Sequence, residues 1–319
     1  MDKVRWGVLG YARIAKTCMI PALKHDERSE LHAIATRNSE TTAELLKGND
    51  FKKVYQSYDE LLDDPEVDVV YVPLPNSLHR EWAIRAMRKG KHVLCEKPMT
   101  ITRRDAEEMV AVARECNVLL VEALMYRFLD KSMVLRSILE DNVIGDVRMV
   151  KSSWRFLLNR VNTIKEKPSL GGGSLYDVGC YPVSLINTVF DELPVEVKSH
   201  RNINENGVDV SISAILKYRN GAMAQFDAGF DSFSYKCTEI SGTKGSILIP
   251  ETYVDEDYPI LVKLSDEPKC RKYVSEVQNR YSEEVKAVNE AVLKGEKELI
   301  SLDYSIRNAA LLEIVMNSH

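Results

Sequence analysis

Hydrophobic and polar positions follow one pattern as far as about residue 125. Short apolar runs alternate there with amphipathic stretches. The predicted strands are Val4–Leu9, Leu31–Ala35, Val54–Tyr55, Val67–Val72, His92–Cys95 and Leu119–Glu122. The predicted helices between them cover residues 14–25, 41–47, 58–62, 77–89 and 104–116. Apolar strands separated by amphipathic helices are typical of a parallel sheet covered on both faces. Residues 1–122 are therefore predicted to form a doubly wound α/β domain of the Rossmann type.

After about residue 135 the strands change character, because apolar and polar residues now alternate with a period of two. The predicted strands are Val147–Phe156, Val208–Tyr218 and Ala222–Ala228. Asn220-Gly221 separates two of these strands, and this dipeptide is a strong signal for a β-hairpin. Helical stretches follow at 281–294 and from Tyr304 onward. Residues 123–319 are predicted to be an α+β domain on a large, mostly antiparallel open sheet.

Composition excludes several classes of protein. The chain has 319 residues, 45% of them hydrophobic, and a net charge of −5 without a block of basic residues. This argues against a nucleic-acid or anionic-membrane partner. No apolar run approaches the roughly 18 residues of a membrane span, and the N-terminus lacks a signal-peptide core. The six scattered cysteines form no CxxC pair, so we expect neither a disulfide scaffold nor a metal site, and a cytoplasmic location.

The first predicted strand runs into GYARIA at residues 10–15. This sequence occupies the place of the G-x-G-x-x-G dinucleotide motif, with alanine at the second and third glycine positions. Gly10 would make the tight turn, and Ala12 is small enough for a pyrophosphate to approach the helix N-terminus. Small residues at such a turn can also serve packing alone. The position after the first strand of an alternating α/β pattern favours nucleotide binding.

Thr36 and Arg37 follow the second predicted strand, where an acidic residue would bind the 2′-hydroxyl of NAD. A hydroxyl and a guanidinium instead suit the 2′-phosphate of NADP. The alternative is that Arg37 is a solvated loop residue.

Three further segments carry polar groups where a ligand could bind. PLPNSLH (73–79) and CEKP (95–98) follow predicted parallel strands, at the edge where such sheets bind ligands. Lys97 could donate a proton to a substrate oxygen, or it could be solvated; Pro98 is a candidate for a cis peptide that aims it. In GGGSLYDVGCY (171–181), Asp177 and Tyr181 would share one helical face. Each of these two, taken alone, could also be structural.

Together GYARIA, ATRN, YVPLPNSLH, CEKP, EALMYRF, IGDV and GGGSLYDVGCY resemble, in order and spacing, the Gfo/Idh/MocA family of sugar dehydrogenases. The resemblance covers about residues 4–181, and the last third also resembles the second domain of that family. Tyrosine at position 181, where many relatives have histidine, together with Thr36-Arg37 is similar to the NADP-dependent branch. That branch contains dimeric dihydrodiol dehydrogenase, xylose dehydrogenase and glucose–fructose oxidoreductase.

The resemblance implies an oxidoreductase acting on a secondary alcohol or ketone of a sugar, cyclic polyol or diol, with NADP(H) preferred over NAD(H). Tyr181 would be the general acid/base, with Lys97 and Asp177 as the other catalytic residues. Lys97, Arg127, Asp177 and Tyr181 would bind substrate. The expected cofactor-binding residues are Gly10, Tyr11, Ala12, Arg13, Ile14, Thr36, Arg37, Pro73, Leu74, Asn76, His79, Glu96 and Lys97. Relatives commonly have His-Pro after MYRF, whereas this chain has Leu129-Asp130. The chain therefore departs from the family pattern next to Arg127, where substrate contacts are expected.

Two other functions are considered, of which the first needs the same residues and the second needs no proton-transfer residues. One is a redox-assisted glycosidase, in which bound nicotinamide transiently oxidises a sugar; the other is a non-catalytic NADP(H) sensor. The alternation in Val208–Leu216 leaves one sheet face open to a partner, and relatives use that face for dimers. We therefore expect at least a homodimer, with a small molecule as substrate.

Overall fold

The computed structural model describes residues 3–48, 50–159, 163–255 and 258–318. Its described residues pack into two compact units, the first formed by residues up to 125 together with 281–306, and the second by 126–280 together with 307–318. Each unit is therefore built from two separate stretches of chain. The domain division at 122/123, expected from the sequence, stays a prediction.

The predicted strands and helices occur in the predicted order, together with elements that were not predicted. The strands are β1 (Val4–Leu9), β2 (Ser29–Ala35), β3 (Lys53–Tyr55), β4 (Val69–Val72), β5 (His92–Glu96), β6 (Leu120–Ala123), β7 (Val147–Leu157), β8 (Glu196–Ile203), β9 (Asp209–Lys217), β10 (Met223–Gly229), β11 (Asp231–Gly242), β12 (Gly245–Pro250), β13 (Ile260–Leu264) and β14 (Arg271–Tyr273). The α-helices are α1 (Ile20–His25), α2 (Ser39–Gly48), α3 (Tyr58–Asp63), α4 (Asn76–Arg88), α5 (Arg103–Cys116), α6 (Asp130–Glu140), α7 (Cys180–Phe190), α8 (Arg280–Lys294) and α9 (Leu302–Asn317).

The first unit contains a six-stranded parallel sheet in the order β3-β2-β1-β4-β5-β6. This is the strand order of a Rossmann fold, which confirms the predicted class. Local chemistry fixes the helix starts: the Ser57 hydroxyl accepts from the amide of Asp59 at α3, and the Thr102 hydroxyl accepts from the amide of Asp105 at α5, each at 3.2 Å.

Helix α8 packs in the first unit although it lies far along the chain. The indole Nε1 of Trp6, on β1, donates to the Asn289 side-chain oxygen at 2.9 Å. Asn289 donates in turn to the Ser29 hydroxyl on β2 at 2.7 Å, and all three side chains are buried. Buried polar groups need such partners, so the pairing fixes α8 against the first two strands.

The second unit is built on an eight-stranded sheet in the order β14-β13-β12-β11-β7-β10-β9-β8. Only the β7–β10 pair is parallel among its described strands; the remaining neighbours are antiparallel. This confirms the predicted mostly antiparallel sheet. Strands β9 and β10 form the predicted hairpin around Asn220-Gly221, with Lys217 opposite Met223. Strands β8 and β11–β14 were not predicted.

The two faces of this sheet differ. On β9, Ile212, Ala214 and Leu216 are buried, whereas Ser213 and Ile215 are exposed. Helix α7 packs on β7 and β10 and carries a nearly continuous run of buried residues. The core of the second unit therefore lies between α7 and the inner sheet face. In the part of the chain that the structure describes, no helix is long and apolar enough to cross a membrane.

Candidate active site

In the first unit, the candidate cofactor residues lie along one edge of the parallel sheet. The strand register pairs Leu9 with Ala35 and Val72 with Cys95. The segments that follow β1, β2, β4 and β5 therefore emerge at the same edge. The chain order reverses between β1 and β4, and open α/β sheets bind ligands in the crevice at this switch point.

Gly10 makes the turn after β1. Its φ is +89°, a conformation that side chains disfavour, and its amide donates to the Ala35 carbonyl at 2.7 Å. A Cβ at this residue would lie 3.2 Å from the Tyr58 hydroxyl and 3.4 Å from a methyl of Leu74. Helical residues begin at Arg13 and continue through the π-helical turn Ala15–Met19 into α1, and the first amides of a helix have no intrahelical acceptor. Tyr11, Ala12, Arg13 and Ile14 are all at least partly exposed, so this turn fits a pyrophosphate.

Thr36 and Arg37 differ in their surroundings. Thr36 is buried, and its hydroxyl accepts from the Asn38 amide at 3.3 Å. Arg37 is exposed, with its guanidinium carbon 5.3 Å from the centre of the Tyr58 ring. Tyr58 packs edge-on against Trp82 at 4.8 Å, which holds its ring in place. Tyr58 thus supports both the Gly10 turn and the Arg37 side chain, a role that no sequence motif indicated.

His79 connects the two remaining loops of this edge. It is completely buried, with Nδ1 2.9 Å from the Pro98 carbonyl and Nε2 2.8 Å from the Leu74 carbonyl. Burial lowers the pKa of His79 below its usual value. Both ring nitrogens lie within hydrogen-bond distance of a backbone carbonyl, and the neutral ring donates to one of them, so His79 connects the Pro73–Asn76 loop with the Lys97–Pro98 loop. The Lys97–Pro98 peptide is cis.

Glu96 is held from inside the unit. The buried Tyr71 hydroxyl donates to Glu96 Oε1 at 2.5 Å, and the Lys97 amide donates to Oε2 at 3.3 Å. Burial raises the pKa of Tyr71 well above its usual value, so the phenol keeps the proton that it donates. Burial and the charge of Glu96 also raise the pKa of Glu284, on α8. Glu96 therefore fixes the backbone that carries the half-buried Lys97.

In the second unit, the glycine segment lets two pieces of chain meet at the start of a helix. Gly173 has a φ of +114°, and a Cβ there would lie 2.1 Å from Asp209 Oδ1. The other oxygen, Oδ2, accepts from the Ser174 hydroxyl at 2.6 Å and from the Leu175 amide at 2.7 Å. Burial raises the pKa of Asp209. This carboxyl, from β9, thereby caps the helical segment that carries Asp177 and Tyr181.

Asp177 lies in the π-helical turn Leu175–Gly179, and Tyr181 lies in the first turn of α7. The Asp177 carboxyl is about one-fifth exposed and pairs with the Lys165 ammonium at 2.5 Å. Tyr181 is buried to 3% exposure. Arg127, the other candidate in this unit, lies partly buried in the 3₁₀ turn Met125–Phe128.

Aromatic side chains surround the Tyr181 ring. The Trp154 ring lies 4.1 Å from it, Tyr253 lies 5.7 Å away and Tyr126 lies 6.0 Å away, measured between ring centres. Tyr253 is itself fixed, because its hydroxyl is hydrogen-bonded to the Ser152 hydroxyl. Aromatic pairs at these distances restrict ring orientation. The phenol that the sequence singled out is thus held by residues from β7 and from the segment after β12.

The structure brings the predicted residues other than Arg127 together in two sets. The first unit gathers Gly10–Ile14, Thr36, Arg37, Pro73, Leu74, Asn76, His79, Glu96 and Lys97 along one sheet edge. The second unit gathers Asp177 and Tyr181 at one helix start. Sequence reasoning missed the side chains that hold them, namely Tyr58, Tyr71, Trp154, Lys165, Asp209 and Tyr253. Sequence reasoning does predict that segment 154–167 shapes the pocket, but no motif in it singles out Trp154 or Lys165.

The first unit is a Rossmann sheet with a dinucleotide turn and a lysine at its ligand edge. The same chain carries an aspartate and a tyrosine one helical turn apart. Together these features define a nicotinamide-dependent oxidoreductase. Residues 4–123 match the model of the oxidoreductase family with an NAD-binding Rossmann fold, and residues 133–248 match the GFO/IDH/MocA C-terminal domain. The chain belongs to the Gfo/Idh/MocA family of oxidoreductases, as its motifs suggested.

Three similar proteins lie in the branch that the motifs indicated. The chain is 31% identical to the trans-1,2-dihydrobenzene-1,2-diol dehydrogenase of Xenopus laevis, over 98% of this chain and 96% of that one. It is 30% identical to a D-xylose 1-dehydrogenase (NADP(+)) of Haloferax volcanii, over 98% and 96%. Its fold matches KijD10, a 3-ketoreductase from Actinomadura kijaniata solved with NADP and TDP-benzene, at a TM-score of 0.90 and 30% identity, covering 99% and 98% of the two chains.

Proposed function

We propose that this protein is an NADP(H)-dependent oxidoreductase that interconverts a secondary alcohol and a ketone on a sugar, cyclic polyol or diol. The observation that carries the proposal is that the Gly10 turn and Lys97 lie at the same sheet edge. Tyr58 lies beside the turn, and His79 and Glu96 hold the loop that carries Lys97. The relatives, which are dehydrogenases and reductases of diols and sugars, support the same reaction class. The Rossmann domain would bind the dinucleotide, and residues 123–319 would carry substrate binding and assembly.

Bound nicotinamide would supply or accept the hydride at its C4. The Tyr181 phenol would pass a proton to or from the reacting substrate oxygen, and the Lys97 ammonium would donate a hydrogen bond to that oxygen. The Asp177 carboxylate would accept from a neighbouring hydroxyl. A ring held by Trp154 and Tyr253 gives the phenol a fixed direction, which proton transfer requires.

The preference for NADP(H) rests on the end of β2. A buried hydroxyl at Thr36 and an exposed guanidinium at Arg37, beside the Tyr58 ring, form a cationic site suited to a 2′-phosphate. Similar proteins are named for NADP(+) or were solved with NADP, which supports this assignment.

The test is a screen of sugars, keto-sugars, inositols and diols with purified enzyme, followed by absorbance at 340 nm with each nicotinamide. We expect product and nicotinamide turnover in equal amounts, faster with NADP(H). Release of a sugar without net change in absorbance would identify a redox-assisted glycosidase instead. Cofactor binding without turnover on any of these substrates would favour the sensor.

We further propose that the outer face of the second sheet forms a homodimer. Ile215 and Met223 are exposed there, in register with Gln225 and Lys217. This face mixes apolar and polar side chains, a composition found in protein interfaces. Light scattering at micromolar concentration should give at least twice the 36.2 kDa chain mass, and Ile215→Glu with Met223→Glu should lower it. A monomeric wild type would refute the dimer.

A further inference from the structure

Lys165, which no motif predicted, contacts Asp177. Its Nζ lies 2.5 Å from Asp177 Oδ2. The same ammonium lies 4.9 Å from the ring centre of Phe156 and 5.6 Å from that of Phe230. The two rings pack edge to face at 5.2 Å. Lys165 is thus placed between one carboxylate and two aromatic side chains.

The backbone of Lys165 is held as closely as its side chain. The Gly173 amide donates to the Lys165 carbonyl at 2.8 Å. A Cβ on Gly172 would lie 2.6 Å from the same oxygen. The backbone at Lys165 can therefore pack this closely only against a glycine at position 172. The triple glycine therefore brings Lys165 to the helix start that carries Asp177.

This ion pair is less solvated than exposed pairs such as that of Lys16 with Glu44. The Lys165 and Asp177 side chains are 32% and 21% exposed, compared with 54% and 65% for Lys16 and Glu44, whose charged atoms are 3.5 Å apart. Partial burial and cation–π contacts strengthen a charge pair and restrict its geometry. Solvated pairs fix little.

We propose that Lys165 is a positioning residue for substrate binding, which orients the Asp177 carboxylate to accept a hydrogen bond from a substrate hydroxyl. The inference rests on the proposed function, in which Asp177 binds substrate. Lys165 acts through Asp177, so its removal should matter only while the carboxylate is present.

The experiment is a double-mutant cycle on the holoenzyme with Lys165→Met, Asp177→Asn and the double variant. Lys165→Met should lower kcat/KM by about tenfold, mainly through KM, and leave the Kd of NADPH unchanged. In the Asp177→Asn background the same change should have little further effect. Lys165→Arg should restore part of the loss. Lys167→Met, an exposed lysine of the same segment, is the matched control and should behave as wild type.

Equal losses from Lys165→Met in the wild-type and Asp177→Asn backgrounds would overturn the proposal, as would an equal loss in Lys167→Met. If the wild type turns over no substrate, the proposed function fails, and crystal structures then decide the role of Lys165. A reoriented Asp177 carboxylate in Lys165→Met would support positioning. An unchanged carboxylate would refute it.

Discussion

The ligand edge of the first unit and the helix start of the second are built by different means. At the first, successive parallel strands end side by side, and backbone turns such as Gly10 supply the binding surface. At the second, side chains from distant segments converge: Asp209 caps the helix, Trp154 packs on Tyr181, and Lys165 binds Asp177.

This difference has a physical consequence. A backbone turn at a strand end is set by local chain geometry and sheet register, so most side-chain changes around it leave it in place. A helix start held by a buried carboxyl depends on every contact of that carboxyl, because an unpaired buried polar group is costly. We therefore expect the second unit to tolerate less change around its site.

The largest expected effect is on turnover, with one residue from each unit. Lys97→Met and Tyr181→Phe should each fold normally, bind NADP(H) and lose about 10²–10⁴-fold in kcat, because each removes a group that moves or stabilises a proton. Steady-state kinetics on the substrate found in the screen measures this. The control variants are Lys269→Met and Tyr258→Phe, at exposed positions. Near wild-type turnover in either variant would remove that residue from the chemistry.

The next effect tests the contrast between the units directly. Gly173→Ala should lower the free energy of unfolding by about 2–4 kcal/mol, since it adds both left-handed strain and a clash that breaks the Asp209 hydrogen bonds. Gly10→Ala in the first unit should cost less, because its nearest contacts are 3.2 and 3.4 Å away.

Urea unfolding followed by tryptophan fluorescence gives these free energies. Gly221→Ala is the matched control, because φ is +82° and nothing lies within 4 Å of its added Cβ. It isolates the backbone strain, about 1–2 kcal/mol. If Gly173→Ala cost no more than Gly221→Ala, the Asp209 contact would not hold this helix start, and the contrast would fail.

The smallest effect concerns cofactor choice in the first unit. Arg37→Ala should weaken NADP(H) binding by about ten- to a hundredfold and leave NAD(H) nearly unchanged, because a charge-assisted contact to phosphate is lost. The NADP(H) advantage should shrink at high salt, since Arg37 is exposed. Fluorescence titration measures both affinities, with Arg88→Ala as an exposed control. Equal affinity of the wild type for both cofactors would make Arg37 an ordinary surface residue.

The sequence by itself determined the parallel sheet of the first unit, the β9–β10 hairpin and the class of protein. These features rest on local patterns: continuous apolar strands, an Asn-Gly turn, and motifs in fixed order. The edge where Gly10, Arg37 and Lys97 lie followed from strand direction alone.

Only the tertiary structure decided which side chains support the site and where the last part of the chain packs. Strands β8 and β14 are mostly exposed, so they carry little apolar alternation to recognise. The pairing of Asn289 with Trp6 and Ser29, and that of Lys165 with Asp177, are contacts between separate segments. In each of these pairings, neither residue changes the hydrophobic pattern of the sequence around the other, because the contact forms only when the chain has folded. Propensity and periodicity act over neighbouring residues, whereas burial and hydrogen bonding are decided by the whole fold.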